Sequence, residues 1–273
     1  MRLGNFEVNY LNGGKVQMDG GAIFGVVPKP LWTRKYDVNS NNQVPNLTYL
    51  ILIQTEDKNI IIDAGIGNHK LSEKQLKNYG VEYESNIVGD LERFNLKVDD
   101  IDMVLMSHMH FDHASGLTDN DGNAIFKNAL HYVQQDEWHE FISPNIRSKS
   151  TYWSKNRGTY ETNMLLFDKE IEIYPGIKMI HTGGHSFGQS IILIESDGEK
   201  AVHMSDILPT RAHMNPLWVM AYDDYPMQSI REKERLIPYF INNDYWFLYY
   251  HDDKYFALKF ERDGKTIKKE VKR

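Results

Sequence analysis

The run Ser107-His-Met-His-Phe-Asp-His-Ala-Ser-Gly116 places His108, His110, Asp112 and His113 within six residues of one another. Three imidazoles and a carboxylate this close aim several lone pairs at one point. Both groups are ligands that borderline divalent ions such as zinc accept. More candidates lie downstream. His185 sits in Thr182-Gly-Gly-His185-Ser-Phe-Gly-Gln189, where the glycines permit tight turns that expose the imidazole. Asp206 and His251 each follow an apolar run, as Asp63 does in Ile60-Ile-Ile-Asp63-Ala-Gly65. With 11 His in 273 residues, chance clustering explains this concentration poorly. His69, His131, His139, His203 and His213 lack a ligand context and read as structural or surface residues. His181, near His185 at a strand end, is a weaker site candidate.

Ligands gathered from across a chain need rigid elements to hold them. Apolar runs of strand length span Leu47–Gln54, Asn59–Asp63, Ile101–Met106, Leu130–Val133, Ile177–His181, Ser190–Glu195, Ala201–Met204, Tyr245–Tyr250 and Tyr255–Phe260. Asp197-Gly198 and Asp263-Gly264 fall between such runs, a hairpin signal. Ile87, Leu91 and Phe94 are spaced for one helix face. Pro226 to Asn243 reads as a second helix, with proline in its first turn after Asp223-Asp224. Strands dominate and helices interleave, which predicts an α/β chain with sheets covered by helices. No linker composition interrupts residues 1–273, so a single domain is expected. Two segments carry no regular pattern, Gly20–Asn46 and residues 143–168. Loops of that length are uncommon unless functional.

Composition narrows the classes. A formal net charge of −7 argues against nucleic acid as a partner, since its binders carry a basic face. There is no cysteine, which removes disulfides, thiolate ligands and a cysteine nucleophile together. No signal-like N-terminus and no membrane-length apolar run is present, so the expectation is a cytoplasmic protein without a membrane partner.

The H-x-H-x-D-H pattern of residues 108–113, with His185, Asp206 and His251, resembles the metallo-β-lactamase superfamily from about Leu47 to His251. The resemblance implies an αββα sandwich with a two-metal site at one edge. It implies that His108, His110 and His185 hold one metal. Asp112, His113 and His251 hold the second, and Asp206 bridges both. Asp63 stands behind a ligand imidazole and orients it. Such N and O donors suit two zinc ions, though iron or manganese would also accept them. A hydroxide bridging two such cations is a nucleophile at neutral pH, so the reaction class is hydrolysis, with Asp112 and Asp206 as the catalytic carboxylates.

Within that superfamily the chain resembles the Bacillus-type quorum-quenching N-acyl-homoserine lactonases. The similarity runs through Leu11-Asn-Gly-Gly14, Asp19-Gly-Gly-Ala22, Phe24-Gly-Val-Val-Pro-Lys-Pro-Leu-Trp32, Pro144-Asn-Ile-Arg147 and Thr151-Tyr-Trp153. It implies lactone-ring opening of a small acyl lactone, and it allows a homodimer. Phe24, Trp32, Tyr152, Trp153 and Tyr222 are the candidates for the acyl pocket. β-Lactam hydrolysis is disfavoured, because those members place Cys or Ser where Asp206 stands. The chain also departs from several lactonases, which carry Tyr three residues after the bridging Asp; here that position is Pro209. Tyr222 is a possible replacement. The alternative is an organophosphate or aryl ester hydrolase with the same ligands. A non-catalytic scaffold is disfavoured because such members lose ligands and this chain keeps all seven.

Overall fold

Short apolar runs rich in Ile, Val and Leu build two seven-stranded sheets and a two-stranded ribbon. The computed structural model describes all 273 residues. The N-terminal strands are β1 (Arg2–Leu3), β2 (Phe6–Leu11), β3 (Lys15–Asp19), β4 (Gln43–Leu47) and β5 (Leu50–Gln54). They are followed by β6 (Asn59–Ile62), β7 (Met103–Leu105), β8 (Leu130–Gln134) and β9 (Met164–Phe167). The first sheet runs β1-β2-β5-β6-β7-β8-β9, and β3-β4 form the ribbon.

The second sheet follows chain order throughout. It contains β10 (Glu170–Tyr174), β11 (Ile177–His181), β12 (Ser190–Ser196) and β13 (Glu199–His203). β14 (Trp246–Leu248), β15 (Tyr255–Phe260) and β16 (Ile267–Lys272) complete it. Asp197-Gly198 and Asp263-Gly264 connect antiparallel neighbours, β12 to β13 and β15 to β16.

The layers follow from which side chains are covered. Ile51, Ile53, Ile60, Ile62 and Leu105 of the first sheet meet Met179, Ile192, Ile194 and Leu248 of the second. On the outer face of the first sheet, Leu52, Ile61 and Val104 share a core with Leu91 and Trp138. Those two come from the helices Ile87–Glu92 and Gln135–Ile142. On the outer face of the second sheet, Val202, Phe247 and Leu258 pack with Leu236, Ile237, Phe240 and Ile241 of the helix Pro226–Asn242. The fold is therefore an αββα sandwich. Ile60, Ile61 and Ile62 are all buried because both faces of that sheet are covered, which is why the run is continuous rather than alternating.

Strand direction places the site. β6 and β7 are parallel with Ile62 opposite Leu105, and β13 and β14 are parallel with His203 opposite Leu248. Parallel neighbours leave a sheet at the same edge, so residues just beyond those ends gather there. Asp63 and residues 107–113 leave one sheet, and Asp206 and His251 leave the other. The two rims are tied by the amide of Ser190 donating to the Ser107 carbonyl at 2.9 Å.

Three expectations change. Leu47–Gln54 is not one strand: β4 ends at Leu47 and β5 begins at Leu50. Between them Thr48 turns toward Gly13 and Gly14, its amide donating to the Gly14 carbonyl at 3.0 Å and its hydroxyl to the Gly13 carbonyl at 2.7 Å. Gly20–Asn46 holds the short helices Gly20–Phe24 and Lys29–Trp32 and most of β4. Residues 143–168 hold two 3-10 turns and β9. No helix is long and apolar enough to cross a membrane.

Candidate metal centre

All seven candidate ligands meet at the shared rim. Donor atoms of His108, His110 and His185 lie within 4.8 Å of one another, and so do those of Asp112, His113 and His251. Asp206 lies between the two trios. Its Oδ1 is 3.4 Å from His113 Nε2 and 3.1 Å from His251 Nε2, while its Oδ2 is 3.4 Å from His185 Nε2. One carboxylate thus turns one oxygen to each trio.

Backbone geometry aims these groups. Asp63 and Ser205 adopt left-handed φ values of 60° and 47°, bending the chain sharply as it leaves β6 and just before Asp206. Gly184 has φ 105°, and a Cβ there would stand 2.7 Å from Ser229 Oγ. Only glycine fits between the His185 turn and the helix Pro226–Asn242.

Partners behind the imidazoles fix their tautomers. His113 Nδ1 donates to Asp63 Oδ2 at 2.8 Å, and His185 Nδ1 donates to Asp223 Oδ1 at 3.0 Å. His251 Nδ1 donates to the Leu47 carbonyl at 2.6 Å. Each such bond leaves Nε2 with its lone pair facing the centre. Asp63 is itself held by the Ser107 amide at 2.8 Å and hydroxyl at 2.7 Å. Tyr250 stacks on His113 with ring centroids 4.2 Å apart, and its hydroxyl donates to the Asp112 carbonyl at 2.9 Å.

The arrangement has the marks of a cation site. His113 Nε2 and His251 Nε2 face each other at 3.2 Å, and His110 Nδ1 and His185 Nε2 at 2.9 Å. With the Nδ1 protons of His113, His185 and His251 committed elsewhere, facing lone pairs at such distances repel unless a proton or a metal ion lies between them. His108 Nε2 and Asp206 Oδ1 are buried without a hydrogen-bond partner. Buried polar atoms in native proteins are seldom left so. The residues fit a pair of divalent cations.

Electrostatics agree. Burial holds His108 and His110 well below the ordinary imidazole range. Burial also opposes charge on His113 and His185. There the Asp206 carboxylate, with Asp63 and Asp112 beside His113 and Asp223 beside His185, outweighs it and raises both. Burial alone would raise Asp63, but His113 and His203 bring it down to about 2. Asp206 also overcomes its burial and lies well below the carboxylate range, through His251, His113 and His185. The acids remain ionised beside buried imidazoles, a potential that attracts positive charge.

A cavity of about 330 Å³ opens over the centre. His110, Asp112, His185, Asp206 and His251 contribute to its lining, and Met18, Ile23, Phe111 and Met220 add apolar surface. Tyr222 lines it, as the sequence suggested. The other four pocket candidates do not, and this corrects the expectation. Phe24 is fully buried and stacks on Trp32 with centroids 4.8 Å apart, in a core shared with Tyr36 and Val44. Tyr152 lies behind His110, its ring centroid 4.8 Å away. Trp153 stacks on Phe111 from behind, at 4.4 Å. Trp32→Ala is therefore expected to cost about 3–5 kcal/mol of stability. Denaturation will measure this loss, and the surviving folded fraction should keep its preference among substrates.

The sequence does not mark Asp223 or Leu47 as partners of the site. Asp223-Asp224 reads in sequence as the lead-in to a helix, and a carbonyl partner leaves no mark on residue type. His181 stays outside, its Nε2 donating to the Phe187 carbonyl at 2.8 Å. His203, read as a structural or surface residue, is buried, donates from Nδ1 to the Leu248 carbonyl at 3.1 Å and approaches Asp63 at 3.9 Å.

Comparison with known proteins agrees with this fold and site. Residues 44–239 match the metallo-beta-lactamase superfamily, and the chain belongs to that superfamily as a metallo-hydrolase. A solved structure described as a probable metal-dependent hydrolase from Staphylococcus aureus is 65% identical. It covers 100% of this chain and 99% of its own, with a TM-score of 0.99. An N-acyl homoserine lactonase from a Bacillus species is 27% identical over 155 residues, 54% of this chain. The match spans 57% of that relative's length. AidC, described as a dizinc quorum-quenching lactonase in complex with a product, N-hexanoyl-L-homoserine, superposes with a TM-score of 0.81. It covers 100% of this chain and 96% of its own. At 15% identity that likeness speaks for the fold alone.

Proposed function

We propose that this chain opens the lactone ring of N-acyl-homoserine lactones with two divalent metal ions, zinc being the cation this donor set suits best. The observation that carries the reading is the union of two ligand trios, a shared carboxylate and a partly apolar cavity directly above them. His108, His110 and His185 hold one cation, Asp112, His113 and His251 the other, and Asp206 offers an oxygen to each. Once bound, the ions supply Lewis acidity and lower the pKa of water toward neutrality. The relatives named as lactonases support the same reading.

The side chains around the ions divide the remaining work. Both Asp112 and Asp206 line the cavity, but Asp112 is 18% exposed against 5% for Asp206, so it is the more accessible of the two. It receives the proton given up at the attacking oxygen and returns it to the departing ring oxygen. Met18, Ile23 and Met220 take the acyl chain and exclude water from it. Tyr222 occupies the role left open by Pro209. Although Tyr222 is 41% exposed, partial desolvation against the cavity wall, and after it Asp112, push its phenol up to about 12, so it stays protonated and can donate to the substrate carbonyl as negative charge develops there. Tyr222→Phe is expected to lower kcat by about 10²-fold, the size seen when one such donor is lost. Steady-state kinetics on a lactone checks it, and an unchanged kcat would remove Tyr222 from this role.

Pro209, standing where several lactonases carry Tyr, also keeps a second reading in play, an organophosphate or aryl ester hydrolase with the same seven ligands. The deciding experiment is a panel of acyl-homoserine lactones of graded length, an aryl ester, a phosphotriester and a β-lactam, all offered to the zinc-loaded protein. Lactone hydrolysis should dominate. Turnover of the phosphotriester without the lactones would transfer the assignment to the second reading.

A further inference from the structure

We propose that Glu137 is the positioning residue for the His108, His110 and His185 trio, and that it sets the affinity of that cation position independently of the other. The inference rests on the reading of the seven residues as a two-cation site. Glu137 stands in the first turn of the helix Gln135–Ile142 and is fully buried. A carboxylate in that setting needs several donors, and it has three. Its Oε1 accepts from the Met109 amide at 2.7 Å and the Tyr152 hydroxyl at 2.9 Å, and its Oε2 accepts from the Ser186 hydroxyl at 2.6 Å.

Each donor leads to a histidine of the trio. Met109 lies between His108 and His110, so fixing its amide fixes the backbone that aims both imidazoles. The Tyr152 ring packs edge-on against His110 with centroids 4.8 Å apart. Ser186 follows His185 directly. Helix and loop have no slack between them, since a Cβ on Gly188 would stand 2.1 Å from the Glu137 amide nitrogen. The other trio is served by different groups: Asp63 holds His113, and the Leu47 carbonyl holds His251. The two supports differ but meet at Ser107, which donates to Asp63 from its amide and hydroxyl and whose Oγ also lies 3.1 Å from His108 Nδ1. A buried charged residue touching no ligand directly is what links the ligands of one position.

The test is titration of the metal-free chain with cobalt(II), read by equilibrium binding and by the visible absorption of each equivalent. Glu137→Leu removes both acceptor oxygens and with them all three hydrogen bonds. It should weaken one equivalent by about 10–100-fold, the usual effect of losing an outer partner of metal ligands. The other equivalent should remain within about threefold of its wild-type affinity. Glu137→Gln should restore most of the loss. Its amide oxygen can serve Met109 and Tyr152, while its NH₂ donates to the Ser186 hydroxyl, which can accept. In a double-mutant cycle Glu137→Leu should add little to His110→Ala but add fully to His113→Ala.

Equal weakening of both equivalents, or none, would overturn the proposal, as would a glutamine variant no better than leucine. If Glu137→Leu does not fold, the pair Tyr152→Phe and Ser186→Ala removes two donors and leaves the Met109 bond. That pair should show the same selective loss at smaller size, and unaltered binding there would overturn the proposal equally. A wild-type chain that takes up only one equivalent would instead strike at the two-cation reading itself, before any variant is compared.

Discussion

Asp206→Asn is expected to weaken both cation positions together and to lower turnover by about 10³-fold. The Asp206 oxygens address different trios, Oδ1 toward His113 and His251 and Oδ2 toward His185. An amide of the same shape keeps one acceptor and turns an N–H donor, with no negative charge, toward the other trio. Whichever way the amide sits, one position faces a donor where it needs a lone pair, and both lose the shared charge. The side chain is only 5% exposed, so water cannot readily make up the deficit. Metal analysis and kinetics on the same preparation check this result. Two retained ions with undiminished turnover would show that Asp206 bridges nothing.

His110→Ala should have a different signature. The substitution removes the nitrogen 2.9 Å from His185 Nε2 and the ring that packs against Tyr152. It leaves Asp112, His113 and His251 intact, with Asp63 and the Leu47 carbonyl still behind the two histidines. One ion should therefore be retained while the other is lost, and turnover should fall by about 10²-fold or more because the proposed chemistry needs both cations. Metal content separates this outcome from that of Asp206→Asn even where the two activities are similarly low. Loss of both ions in His110→Ala would mean that the trios are not separable.

Much of this site is legible in the chain because its candidate ligands obey two local rules. Four of them lie within residues 108–113, so their proximity is covalent and needs no fold to reveal it. Asp206 and His251 follow apolar runs, and parallel strands carry such positions to one edge. The supports are another matter. Asp223 meets His185 across 38 residues, and Glu137 meets Ser186 across 49. Nothing in residue type distinguishes these acids from solvated ones until the helix and loops are packed. Glu137 lies in a short helix with charged neighbours, which reads as surface, yet it is fully buried.

The aromatic segment from Phe24 to Trp32 shows the opposite failure. Its composition suits a pocket wall and a core equally, and only packing decides which way the rings turn. Phe24 and Trp32 turn inward, stacked on each other, while their neighbour Ile23 reaches the cavity. Residue type predicted the segment's place near the site but not the side chain that meets it. The split between β4 and β5 was hidden for a similar reason, since the apolar pattern continues through the bend at Thr48 and Tyr49.

The claim on which everything else depends is a pair of cations held by these seven residues. Its most direct test is equilibrium titration of the metal-free chain with zinc or manganese, with bound metal counted per chain and lactone hydrolysis followed in the same samples. Two equivalents should bind, and hydrolysis should rise with occupancy of the second. Saturation at a single equivalent, or full activity with only one ion bound, would contradict the account.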